Sequence, residues 1–175
     1  MSQKSGIGWI DEVRRQLAAS IDMLHTAIET ATEEVWNNEY DDPRFWRVAA
    51  HVTLFIDFYF STLDENILNP SETYMVPEFL QKYGTNYLDD LEKGFVTKSD
   101  LLNYLEHSRK NLRVYFDNDI TPQLAEDSGF DWLSMNKGEL LLYNMRHIME
   151  HVAILNQILK KYGLKASSWR KTGQI

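Results

Sequence analysis

Cysteine is absent from this chain of 175 residues. That excludes disulfides, thiolate metal sites, iron–sulfur clusters and a cysteine nucleophile. Positive charge is also scarce. The 18 Lys and Arg are outnumbered by 26 Asp and Glu, leaving a net charge of −8. No basic face emerges, so the composition argues against a nucleic-acid partner, whose phosphates need neutralising. The one basic cluster is the tail, with Lys160, Lys161, Lys165, Arg170 and Lys171, which reads as a solvated terminus. Long hydrophobic runs are missing too. "VTLFIDFYF" is interrupted by Asp57 and is too short to cross a bilayer. "MSQKSGIGWIDEVRRQ" has no apolar leader core. The expectation is a cytoplasmic protein without a membrane partner.

What is present is ordinary in bulk and rich in rings. Apolar residues make up 43% and charged residues 25%, with 5 Trp, 9 Tyr and 8 Phe. The length suits one domain around one core. Four long amphipathic segments are predicted, over residues 7–31, 43–65, 98–118 and 137–162, followed by the basic tail 163–175. In the first, Ile10, Val13, Leu17, Ile21, Leu24 and Ile28 recur at steps of three and four. The second is apolar on nearly all sides, and its start reads as Asp42 capping with Pro43 at the first helical position. Thr97–Asp100 and Asn136–Glu139 have the spacing of capping boxes, and Gly163 is a natural stop. Residues 66–96 hold Pro70, Pro77, Gly84 and Gly94 and no long periodic run. They read as a crossover between the second and third helices. The predicted fold is all-α, a four-helix bundle with one long crossover.

The histidines are the chemically distinctive residues. His147 and His151 are four apart in "NMRHIMEHVAILN", so they share one helix face. Two imidazoles are too few to hold a metal ion. A third candidate, His51, sits among apolar neighbours in "RVAAHVTLF". A bundle core is a common place to assemble ligands from facing helices, and borderline divalent metals favour neutral imidazole. His25 and His107 lie beside their helices' apolar stripes and read as core residues. "HIMEH" also matches H-x-x-E-H, the inverted zinc-protease motif. No Asp, Glu or His follows His151 to supply that motif's third ligand. Glu150 therefore reads as an exposed carboxylate or one that steadies an imidazole. Asp57 is six residues from His51 and points away from that histidine's face. Tyr143 and Asn144 lie one turn before His147, and packing is the preferred reading for both.

The pattern resembles the DinB-like (DinB/YfiT) superfamily of four-helix bundles over almost the whole chain. "FWRVAAHVTLFIDFY" is similar to the family's second helix, with its mid-helix histidine at His51. "ELLLYNMRHIMEHVAILNQIL" is similar to its last helix, with H-x-x-x-H at His147 and His151. Trp169 resembles a Trp that follows this helix in one branch. One departure is Ala153-Ile154, where many members carry Gly-Gln. The resemblance implies that His51, His147 and His151 bind one divalent metal ion, zinc or nickel first, with iron or manganese as alternatives. It also implies transferases that use low-molecular-weight thiols, hydrolase-like or isomerase-like activities, and frequent homodimers.

Three nitrogen ligands leave an open position on the metal, as catalytic sites require. The expectation is therefore a metal-dependent enzyme acting on a small molecule, a thiol (S-)transferase or a hydrolase. With no cysteine in the chain, any thiol must arrive on a cosubstrate. No catalytic base is identified. Two alternatives remain. One is a non-catalytic metal-binding bundle with a closed site. The other is a protein-interaction module, which exposed Trp9, Trp36 or Trp132 would favour.

Overall fold

The computed structural model describes residues 8–60 and 96–174. The predicted crossover at 66–96 lies almost entirely outside these residues. Among the described residues there is no β-strand, only an isolated bridge between Asp127 and Asn136. The helices are α1 (Gly8–Thr30), the short α2 (Glu33–Trp36), α3 (Phe45–Phe60), α4 (Lys98–Asp117) and α5 (Lys137–Lys161), with a 3-10 turn at Thr121–Gln123. None of them is long and apolar enough to cross a membrane.

α1 packs on α4 and α5, and α3 packs on the same two helices. The apolar stripes explain the arrangement. Ile10, Val13, Leu17, Ile21, Leu24 and Ile28 of α1 are all buried, as are Leu101, Leu105, Leu112, Tyr115 and Phe116 of α4. α3 buries twelve of its sixteen residues, so it needs partners on several sides at once.

The helix ends follow the local chemistry. Asn136 and Glu139 form a complete capping box. The Asn136 side chain accepts from the Glu139 amide at 2.8 Å, and Glu139 accepts from the Asn136 amide at 3.0 Å. Thr97 accepts from the Asp100 amide at 3.2 Å. Asp100 answers by accepting the Thr97 hydroxyl at 2.5 Å. Gly163 ends α5 at φ 71°. Its amide reaches the Lys160 carbonyl at 3.0 Å, and the Leu164 amide reaches the Leu159 carbonyl at 2.9 Å, the paired bonds of a Schellman stop.

The start of α3 departs from the sequence reading. Pro43 does not occupy its first turn. The Asp42–Pro43 peptide is cis and the helix begins at Phe45. The chain just before is committed elsewhere, because the buried Asp41 carboxylate is held by Lys161 and by the Tyr162 hydroxyl at the end of α5. The Lys161 ammonium beside it holds the Asp41 carboxyl below its ordinary range.

The tail departs as well. Lys165, Arg170 and Lys171 are exposed, as read from sequence, but the backbone is docked. Ser167 donates from its amide to Asn156 at 2.8 Å. The Gly173 amide donates to the Arg15 carbonyl at 3.1 Å. A Cβ on Gly173 would meet the Ala19 nitrogen at 2.5 Å and the Ala18 carbonyl carbon at 2.6 Å, so only glycine lets the strands of chain approach this closely. Gly173→Ala is expected to undock the tail and leave the helical core folded. Limited trypsin digestion should then cut after Lys165, Arg170 or Lys171 faster than in the parent, with far-ultraviolet circular dichroism unchanged.

Candidate metal centre

The structure brings His51, His147 and His151 together. His51 comes from the middle of α3, and the other two from adjacent turns of α5. Their ligand atoms all lie within 4.8 Å of one another. His147 Nε2 stands 3.2 Å from His51 Nε2 and 3.0 Å from His151 Nε2. Two nitrogens bound to one tetrahedral ion at about 2.0–2.1 Å stand about 3.3 Å apart. Both spacings about His147 are therefore close to what one small cation needs, and the cluster could hold a metal ion.

Electrostatics favours the ligating form of each ring. Burial, helped by His151, lowers the His51 pKa to about 4. Burial and the two neighbouring imidazoles lower that of His147 to about 3. Burial also lowers His151, against an upward pull from the Glu150 charge. All three are neutral at pH 7, with lone pairs available. Aromatic rings set their orientation. Phe55 lies 4.4 Å from the His51 ring, and Tyr59 meets His147 edge-on at 5.6 Å. Tyr59 in turn touches Phe130 and Trp132, so one side of the triad is walled by aromatics.

The other side is open. A cavity of about 550 Å³ reaches His51 and His151, with Arg44, Arg47, Glu39 and Asp42 also on its walls. That is a volume for a small molecule.

The other candidate residues fall outside the triad. His25 sits 3.4 Å from Glu29, and His107 packs near Tyr104. Glu150 is exposed and acts on His151 through its charge alone. The Nδ1 atoms of His147 and His151 are buried with no hydrogen-bond partner among the described residues. No described residue supplies the acceptor that normally steadies a metal-bound imidazole from behind. Tyr143 packs on Tyr59 at 5.3 Å, and Asn144 donates to the Ile56 carbonyl at 3.2 Å. Both are packing residues, in line with the sequence reading.

Asp57 faces away from the triad, toward α4, and is fully buried. Burial pushes its carboxyl up to about 7, and Tyr104, Ser108 and Asn111 pull it back only in part. Neither carboxyl oxygen closes a hydrogen bond among the described residues. Sequence reasoning missed the two arginines of the cavity. Part of the signal was available, since Arg47 and His51 are four apart on one helix face, with Arg44 just before the helix.

These shifts set the acid response of the metal-free protein. The triad's folded pKa values lie below the unfolded value near 6.5, so the unfolded state binds more protons as pH falls from about 6.5 toward 4. The histidines therefore contribute stability above that window and lose it on acidification. Asp57 has the opposite sign, because its raised pKa stabilises the folded state as pH falls below 7. A His51→Gln, His147→Gln variant is expected to lose less stability than the parent between pH 7 and 5. Urea unfolding of chelator-treated protein at the two pH values reads this directly.

In comparisons with known proteins, no family model, no curated protein and no solved structure matches the chain.

Proposed function

We propose that this protein is a divalent-metal-dependent enzyme acting on a small molecule, as a thiol (S-)transferase or a hydrolase. In this reading the chain is a DinB-like four-helix bundle with a long crossover, and His51, His147 and His151 hold the ion. Zinc or nickel is the first choice, with iron or manganese as alternatives. The observation that carries the reading is the convergence of three neutral imidazoles, two of which, His51 and His151, line a cavity of about 550 Å³. A structural site is closed on all sides by protein ligands, whereas a catalytic one keeps a position open.

A bound divalent ion would polarise an oxygen or sulfur of the substrate and lower its pKa. The chain's own residues do the rest. Burial keeps protons off the three ring nitrogens. Phe55 and Tyr59 fix the ring planes and keep water from one side. His51 and His151 face the cavity, so the substrate approaches between α3 and α5. A thiol, where one is used, comes on the cosubstrate, since the chain has none. Cytoplasmic location and homodimer formation complete the proposal. The alternative is a non-catalytic metal-binding or interaction bundle, and exposed Trp9 and Trp132 are the observation in its favour. The open cavity beside the triad favours the enzyme.

Elemental analysis of tag-free protein tests the reading. About one divalent ion per chain is expected, and none in a His147→Ala, His151→Ala variant. Chelation should lower the melting temperature of the parent and leave that of the variant unmoved. Metal-free parent protein that takes up no zinc, nickel, iron or manganese on incubation would overturn it.

A further inference from the structure

The cavity wall carries a local contradiction. α3 has no acidic residue in its first turn, and it has Arg44 just before it and Arg47 within it. Cations are disfavoured at the positive end of a helix, where carboxylates are the usual choice. In a chain with an excess of acidic residues, such a placement calls for a compensating contact. None is found among the described residues, because neither arginine has an ion pair, hydrogen bond or ring contact there. Three acidic residues share the cavity wall. Asp41 is buried and already held by Lys161 and Tyr162. Glu39 and Asp42 are exposed, while Arg44 and Arg47 are half-buried.

Position completes the picture. Arg47 stands one turn before His51 on the same face of α3, and Arg44 lies at the entry to that helix. His51 and both arginines line the same cavity. A ligand there meets neutral histidines and two guanidiniums that have no partner among the described residues.

We propose that Arg44 and Arg47 are the substrate-recognition residues of this cavity, and that they select a small molecule bearing a carboxylate, held so that its reactive atom faces the histidines. The proposal rests on the enzyme reading above and adds the substrate class. Guanidinium matches a carboxylate through paired N–H donors. The acidic lip formed by Glu39 and Asp42 disfavours a more highly charged phosphate dianion.

The test uses full-length protein stripped with chelator and reloaded with cobalt. Two thiols of similar size serve as probes, 3-mercaptopropionate with a carboxylate and 2-mercaptoethanol without one. Sulfur binding is read from the near-ultraviolet thiolate-to-cobalt absorption. The carboxylate probe is expected to bind about ten-fold more tightly. An Arg44→Met, Arg47→Met variant should lose that preference and keep its affinity for 2-mercaptoethanol. Equal affinities in the parent, or a preference that survives in the variant, overturn the assignment. A second readout separates it from the metal reading. The arginine Nε–Hε signals of chelator-treated protein are followed by nuclear magnetic resonance as 3-mercaptopropionate is added. If the triad takes no cobalt but these signals shift in the parent, the metal reading falls and the arginine assignment stands. If they do not move, the assignment falls as well.

Discussion

α3 must be covered on every side but one, the half-buried stripe of Arg47, His51, Phe55 and Phe58, and the rest of the structure follows from that constraint. Its sequence, "FWRVAAHVTLFIDFYF", leaves almost no face for water. α4 and α5 both lie against it, and α1 closes on those two from beyond. Phe45, Val52, Leu54, Ile56 and Phe60 are all buried to within 1%. Burying a side chain of this size is worth roughly 1.5–3 kcal/mol relative to leaving it exposed. Packing of this helix therefore outweighs any single cap or ion pair in the molecule.

The same helix carries two titratable groups into that packing, on different sides. His51 faces α5 and Asp57 faces α4. One physical effect acts on both, the penalty for a charge removed from water. For imidazole it favours the neutral ring, which is the form that ligates a cation. For the carboxyl it favours the protonated acid, which is a poor ligand for a cation. Desolvation thus prepares one side of α3 for a metal and leaves the other inert. The exposed side of the triad is where α3 begins, and there the cavity and its two arginines lie.

Much of this was legible in the residues. The stripes of α1 and α4, the capping box at Asn136 and the stop at Gly163 are local patterns, and local patterns survive folding. The triad was legible because a pair at i,i+4 shares one helix face and a mid-helix histidine among apolar neighbours points inward. What escaped depends on contacts between distant segments. Pro43 is a good first helical residue, but Asp41 is drawn to Lys161 and Tyr162, and the helix starts later. The tail has a solvated composition, yet Gly173 lies against the backbone of α1, an approach visible only in three dimensions. Arg44 and Arg47 are not distinctive as residues in sequence, and only the cavity gives their half-buried positions a meaning.

His51 and His147 are 96 residues apart in sequence and their ring nitrogens are 3.2 Å apart in space. In a protein without cysteine, an ion shared by these rings would be a reversible cross-link between segments far apart in the chain. Closing a loop of that length removes on the order of 4–5 kcal/mol of chain entropy from the unfolded state. Unlike a disulfide, such a link would answer to metal supply and acidity rather than to redox potential.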